Sequence, residues 1–573
     1  MKILFLTHSF NSLAQRLYIE LARRGHEVSI EFDINDAVTA QAVELYRPEL
    51  IIAPFLKRAI PEVVWRNHVC FVVHPGIIGD RGPSALDLAI MRGCAEWGVT
   101  VLQASGEMDA GDIWAAETFP MRFTKKSGLY RNETSDAAVR AVLVAVERFE
   151  SGDFKPQPLN YSDPKVLGRL NTPIKQADRT IDWQRDNSHT VLKKIHAADG
   201  FPGVLDTLCG EAYYLFDACT EDALRGSQPG AIIAQRNGAI CRATLDGAVW
   251  IGHLKRKTEV ELALKLPATL SLGNRLGDVP EMPLDPFLPC SGDTYRDIWF
   301  EQKNGIGYVH FAFYNGAMSS MQCERLRAAY LTATQCDVRV IVLMGGADFW
   351  SNGIHLNCIE NADSPADESW RNINAMNDLT RAIATTGSQL TIAALQGNAG
   401  AGGVFLSLAA DQVYARKSVI FNPHYKGMGN LYGSEYWTYL LPRRVSEARA
   451  AALTQIRLPV GAEEAQEMGL IDGCFGIDRE GFLARIGQIA EELAGSPDYS
   501  GLLREKIARR ERDEQEKPLD AYRTEELQHM KLNFYGFDPS YHVARYNFVY
   551  KVPHAWTPLY LARHRRIAIR SGV

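Results

Sequence analysis

The sequence predicts a multidomain α/β protein. Its 573 residues exceed one ordinary core, and at roughly 100–200 residues per domain they imply about three to five folding units. Short apolar runs alternate with stretches of helical spacing through the first hundred residues, a βαβ rhythm. The same alternation resumes after a proline-rich stretch near residue 280, so a second α/β unit is expected there.

The first unit opens with apolar runs at Ile3–Leu6, Val28–Phe32, Leu50–Phe55 and Phe71–Val73. Leu13, Leu17 and Leu21 share one helical face, and Gly25 follows Arg23 and Arg24 as a C-terminal cap, which predicts a helix over Ser12 to Arg24. That order implies a parallel sheet in a Rossmann-like domain over residues 1–165. Prolines cluster between Lys155 and Pro164, and glycine-punctuated runs such as Ala231–Ile233 and Val249–Ile251 follow, predicting a small β-barrel-like domain over 166–270. Pro280, Pro283, Pro286 and Pro289 recur at every third position, as an extended linker over 271–290 would require. Runs at Gly307–Phe313, Val338–Met344, Leu390–Leu395 and Gln412–Ala415 then predict an α/β domain over 291–500. Residues 501–573 are highly charged first and rich in Tyr, Pro and Arg later, and are expected to form a helical extension.

Composition narrows the function classes. Hydrophobic residues make up 46% and charged residues 23%, the profile of an ordinary folded protein and not of a disordered one. A formal net charge of −6 without a long basic block argues against nucleic acid as the main partner. The opening MKILFLT is apolar for one strand only, so neither a signal peptide nor a membrane span is expected, and the expected location is cytoplasmic. The ten cysteines are scattered without a C-x-x-C pair, and no H-E-x-x-H cluster occurs, so no protein-bound metal is expected.

In the first unit Val72-Val73-His74-Pro75-Gly76 places a histidine just after a buried strand, ahead of the glycine-rich Gly79-Asp80-Arg81-Gly82-Pro83. Strand ends are where open α/β sheets bind ligands. Thirty-five residues after His74, Asp109 lies in a carboxylate-rich turn, and the two together form a candidate proton-shuttling pair. On residue types alone a lone histidine at a strand end is more often structural. However, the run HPGIIGDRGPSALDLAI and the spacing to MDAGDI resemble the folate-dependent formyltransferases. Ile181-Asp182-Trp183 and the segment from Ile195 to Gly203 resemble the opening of that family's small C-terminal domain. The resemblance implies that His74 is the general acid/base, assisted by Asp109, in moving a formyl group from N10-formyltetrahydrofolate. It covers about residues 1–265. Val72 departs from the family, which carries an Asn two residues before the histidine, and this removes an oxyanion donor. Gln15 and Arg131 are further candidates for contact with an anionic ligand, against the commoner reading as solvated polar residues.

In the second unit Gln396-Gly397-Asn398-Ala399-Gly400-Ala401-Gly402-Gly403 follows an apolar strand and opens an apolar helical run, where backbone N–H groups can approach a ligand oxygen. With N-G-A-M at 315–318 and F-W-S-N-G-I-H-L at 349–356 it resembles the enoyl-CoA hydratase/isomerase (crotonase) superfamily. That resemblance implies a coenzyme A thioester whose carbonyl is held by the backbone N–H groups of Ile354 and Gly402. The hydratase glutamates are absent, Phe405 and Tyr425 standing in their places, so hydration is not expected. Tyr425 and Glu435 become the candidate acid and base, against readings as a core tyrosine and a helix-terminal carboxylate. Arg563, Arg565, Arg566 and Arg570 are basic enough to meet phosphates, although a solvated terminal helix is the commoner explanation.

Across nearly the whole chain, a formyltransferase followed by a glutamate-less crotonase resembles a family of [NiFe]-hydrogenase maturation proteins. The resemblance implies carbon monoxide synthesis: formyl transfer from N10-formyltetrahydrofolate to coenzyme A, then decomposition of formyl-CoA. It also implies hydrogenase maturation proteins as partners, with folate and CoA as the small molecules and neither nucleic acid nor membrane. Two other readings stay open. One is a formyltransferase with a stable formyl product and an unrelated acyl-CoA activity; the other is a non-catalytic scaffold that binds folate and CoA.

Overall fold

The structure is a computed structural model and describes residues 1–259 and 262–566. The chain divides into two compact units, one of residues 1–257, 267–280 and 553–573, the other of 258–266 and 281–552. The chain crosses between them four times, once inside the proline-rich stretch.

The first unit begins with six strands: β1 (Lys2–Thr7), β2 (Glu27–Phe32), β3 (Leu50–Phe55), β4 (Cys70–His74), β5 (Glu96–Gln103) and β6 (Ile113–Pro120). They form one sheet in the order β2-β1-β3-β4-β5-β6. β1 to β4 are parallel and β5 and β6 antiparallel. The first helix covers Ser12–Arg23, one residue short of the expected end, and starts where Asn11 accepts the Ala14 N–H at 3.0 Å. Five strands, β7 (Val204–Leu208), β8 (Glu211–Glu221), β9 (Ile232–Arg236), β10 (Ala239–Ala243) and β11 (Ala248–Arg256), then make a second, antiparallel sheet. A short strand β12 (Lys265–Pro267) follows.

In chain order the second unit has β13 (Ile298–Lys303), β14 (Ile306–Phe311), β15 (Val340–Met344), β16 (Phe349–Ser351), β17 (Leu390–Leu395), β18 (Asn398–Gly400), β19 (Gln412–Arg416), β20 (Ile420–Asn422), β21 (Val460–Gly461) and β22 (Gly473–Phe475). The larger sheet runs β13-β14-β15-β17-β19-β22 and the smaller β16-β18-β20-β21. Long helices at Ser320–Ala333 and Pro365–Ala384 pack beside them. Among the described residues no helix is long and apolar enough to cross a membrane.

Residues 501–573 are not one helical extension. Three helices, Tyr499–Glu516, Leu519–Tyr535 and Ser540–Val549, belong to the second unit, whereas 553–566 fold into the first. The reason is a buried charge. Glu31 on β2 is fully buried, and the returning segment supplies its partners: His564 Nε2 at 2.8 Å, Arg565 at 2.7 Å and the Thr557 hydroxyl. Burying a carboxylate without such partners would be costly. Main-chain bonds add to it, the Ile30 N–H donating to Leu561 O at 3.1 Å and the Phe32 N–H to the Thr557 hydroxyl at 2.8 Å. Arg565 is thereby engaged with Glu31, and Arg570 lies outside the described residues.

Burial raises the Glu31 pKa, but the hydrogen bonds from His564, Thr557 and Arg565 outweigh it and hold the carboxyl below its ordinary value. A depressed carboxyl pKa stabilises the fold above the unfolded-state value, and that stability is lost as pH falls through the folded-state value. Replacing His564→Ala is expected to cost about 3 kcal/mol at pH 7, measured by urea denaturation, and the gap to the parent should narrow as the medium is acidified below pH 4.

Candidate functional site

His74 ends β4, where the parallel part of the sheet meets the antiparallel part, and is only 5% exposed. Strand alternation puts Val72 on the same face, so no amide projects where the formyltransferases carry one. After His74 the chain turns back through Gly76 and brings Asp80 against the ring, with His74 Nε2 to Asp80 Oδ2 at 2.9 Å. The turn needs a glycine, because a Cβ at Gly76 would lie 2.4 Å from His74 Nε2 and 2.6 Å from the Asp80 carboxylate. The Asn171 amide donates to the other Asp80 oxygen at 2.9 Å. On the far side of the ring, Asp109 Oδ2 stands 3.5 Å from His74 Nδ1 and accepts the Gly82 N–H at 3.1 Å. Arg81 ties the two loops together through Glu107 at 3.1 Å and the Met108 carbonyl at 2.8 Å.

His74 therefore has a carboxylate at each nitrogen, and the nearer is Asp80, whose approach to the ring the sequence motif does not reveal. Two such carboxylates fix the ring plane. Gln15 lies on the helix Ser12–Arg23 and donates to the Phe10 carbonyl at 2.9 Å. Arg131 lies in the π-helical turn Tyr130–Thr134. Asn11 and Tyr130 link those two elements by a 3.4 Å hydrogen bond.

In the second unit, Gly353 and Gly402 bring two backbone segments together: a Cβ at Gly353 would be 3.4 Å from the Gly402 nitrogen. Main-chain bonds from Met318 to the Gly353 carbonyl at 2.9 Å and from Ala401 to the Asn422 carbonyl at 3.0 Å hold the two segments. Among the described residues the N–H groups of Ile354 and Gly402 donate to no protein acceptor. Two preset donors of this kind suit a carbonyl oxygen.

Glu435 fills the space that a side chain at residue 402 would take, since a Cβ on Gly402 would lie 2.5 Å from its Oε1. Glu435 is 1% exposed, and the Tyr425 hydroxyl reaches both its Oε2 and, at 2.9 Å, the Ser434 carbonyl. The Tyr425 ring stacks on Phe405 with centroids 5.4 Å apart, so the residue in place of one absent glutamate supports the residue in place of the other. Burial, with Glu526 as a further negative neighbour, pushes the Glu435 pKa up to about 8 against the hydrogen bond from Tyr425. Burial and Glu435 push the Tyr425 phenol well above its usual value. At neutral pH Tyr425 is thus a hydrogen-bond donor, and Glu435 is poised to exchange a proton.

The formyl transferase family matches residues 1–146, the C-terminal domain of formyl transferase matches 173–265, and the enoyl-CoA hydratase/isomerase family matches 301–533. The hydrogenase maturation factor HoxX of Bradyrhizobium diazoefficiens is 54% identical over 99% of this chain and 97% of its own. The chain belongs to the HoxX/HypX family of hydrogenase maturation factors. The crystal structure of HypX from Aquifex aeolicus in complex with tetrahydrofolic acid is 49% identical, with a TM-score of 0.95 over 99% of both chains. Methionyl-tRNA formyltransferase of a Geobacillus species is 23% identical over 46% of this chain and 84% of its own. The HoxX/HypX family thus joins a formyltransferase domain and a crotonase domain in one chain, as the two sets of sequence motifs imply.

With its pKa near 8, Glu435 is expected to be protonated at pH 7. The infrared C=O band that disappears in Glu435→Gln should titrate with a midpoint near 8 in the full-length protein. A midpoint in the ordinary carboxylate range would contradict the described burial.

Proposed function

We propose that the protein makes carbon monoxide for [NiFe]-hydrogenase maturation. The observation that carries the reading is the Glu435 carboxyl lying against Gly402, beside two unengaged N–H groups and in a crotonase domain without hydratase glutamates. The formyltransferase domain supports a formyl donor, N10-formyltetrahydrofolate, and the crotonase domain supports coenzyme A as the acceptor.

In the first step the CoA sulfur attacks the formyl carbon. The bond to N10 breaks, and a proton moves from the thiol to N10. His74 carries that proton, oriented by Asp80 and Asp109. Gln15 and Arg131 are proposed to meet the anionic parts of the ligands.

In the second step the Ile354 and Gly402 N–H groups hold the thioester oxygen and turn the formyl hydrogen towards Glu435. The Glu435 carboxylate takes that hydrogen as a proton, the carbon–sulfur bond breaks with its electron pair on sulfur, and carbon monoxide departs. Glu435 then returns the proton to the thiolate, which restores the CoA thiol. Tyr425, kept neutral by burial, donates to Glu435 whenever the carboxylate is charged. Maturation proteins that use carbon monoxide as an iron ligand are the proposed partners.

The test supplies purified protein with N10-formyltetrahydrofolate and CoA and traps carbon monoxide with reduced haem. Release is expected to need both compounds. Glu435→Gln should lower it by at least about 10²-fold while formyl-CoA accumulates, and Asp80→Asn should deplete formyl-CoA itself. Because the base form of Glu435 is the reactive one, release should rise with pH through about 8. A formyl product without carbon monoxide from the parent protein would refute the second step.

A further inference from the structure

We propose that Glu526, on the helix Leu519–Tyr535, is a positioning residue that holds Glu435 against Gly402 and acts on it as a negative charge fixed behind it. The inference rests on the reading of Glu435 as the group that exchanges the formyl proton.

The backbone that aims Glu435 is strained. Glu435 and Tyr436 have φ values of 59° and 57°, two successive non-glycine residues in the left-handed region, where a Cβ crowds the following carbonyl. Such a conformation persists only when its surroundings over-determine it, and Glu526 provides most of the fixing. Its Oε2 accepts the Tyr436 N–H at 2.9 Å and the Ser434 hydroxyl at 3.3 Å. Its Oε1 accepts the Thr438 N–H at 2.9 Å and the Thr438 hydroxyl at 2.6 Å. The Asn377 carbonyl oxygen completes the clamp by accepting the Glu435 N–H at 2.7 Å.

The donor pattern also decides which of the two buried carboxyls ionises first. Glu526 is fully buried, yet the Tyr436 and Thr438 N–H groups and the Thr438 hydroxyl point at it, and the Ser434 hydroxyl divides its one proton between Glu526 and Asn377 Oδ1 at 3.0 Å. On its carboxyl Glu435 receives the Tyr425 hydroxyl and a weaker hydrogen bond from the Ser434 backbone, fewer donors than meet Glu526 among the described residues. A surplus of donors stabilises the charged form, so Glu526 carries the charge while Glu435 keeps its proton. Burial raises both, Glu526 to about 7 and Glu435 to about 8. Among the described residues the other groups around Glu435 add no counter-charge: Tyr425 is a phenol, and Cys323 on the helix Ser320–Ala333 is a buried thiol held well above its usual value, in the first place by its own burial. The nearest cations on the packed helices are already paired, Arg523 with Asp378 at 2.6 Å and Arg381 with Asp520 at 2.6 Å.

The test compares the full-length parent with Glu526→Gln and Glu526→Asp, reading the Glu435 carboxyl band by infrared titration and the pH dependence of carbon monoxide release. In Glu526→Gln the Glu435 midpoint is expected to fall by about one pH unit, the scale of a neighbouring charge, and the rising limb of release should move with it. Glu526→Asp keeps the charge and should keep both near the parent positions. An unchanged infrared midpoint in Glu526→Gln would overturn the proposal, as would failure of both variants to fold, which would make Glu526 a folding residue only. If the parent releases no carbon monoxide, the proposed decarbonylation falls, while the infrared midpoints still judge Glu526.

Discussion

A carboxyl group can press against the first turn of a helix only where that turn has no side chain. The second unit is arranged around this constraint at Gly402. The helix Gly402–Leu408 begins with an N–H that no described acceptor takes, and the missing side chain leaves room for Glu435 beside it. Everything nearby follows from keeping that acid in place without water. Tyr425 caps it, Phe405 backs Tyr425, and Asn377 and Glu526 hold the left-handed pair that carries it. Any larger residue at 402 would evict the acid before it disturbed the donor.

Buried acids in this protein meet one of two environments. In the first, cations meet them: Glu31 has His564 and Arg565, Asp87 has Lys126 at 2.8 Å and Arg179 at 3.2 Å, and Asp217 has Lys125 and, at 3.0 Å, His253. Burial alone would raise Asp217, yet Lys125 and His253 outweigh it and hold the carboxyl far below its usual range. In the second, Glu435 and Glu526 are met by hydroxyls and N–H groups, and both are raised. Paired acids fix structure over the whole neutral range, whereas acids met only by neutral donors keep their protons negotiable near pH 7.

What the sequence made legible follows the range of each interaction. The first helix was readable because Leu13, Leu17, Leu21 and Gly25 encode it within two dozen residues. His74 with Asp109, and Ile354 with Gly402, were readable because motifs at fixed spacing carry them, although a motif names a residue without measuring its contacts. Asp80 stood in the quoted loop, but only the tight turn at Gly76 reveals that it, and not Asp109, is the nearer partner of His74. Glu526 was invisible: it lies about 90 residues from Glu435 in a polar helical stretch, where an acidic residue ordinarily means a solvated face. The return of residues 553–566 to the first unit was hidden for the same reason, since nothing local to a segment rich in Tyr, Pro and Arg points to a buried glutamate on the second strand.

That return bears on how the chain is made. β2 lies at one edge of the first sheet, and the segment that covers this edge is separated from it by 533 residues between Glu31 and His564. At ribosomal speeds of about 5–20 residues per second, that separation amounts to on the order of a minute of synthesis. Throughout that interval the nascent first unit presents an open strand edge and an unpaired glutamate, the kind of surface on which strands of other chains add. Completion of the first unit therefore waits for residues 557–565, which are translated long after the strand edge they cover.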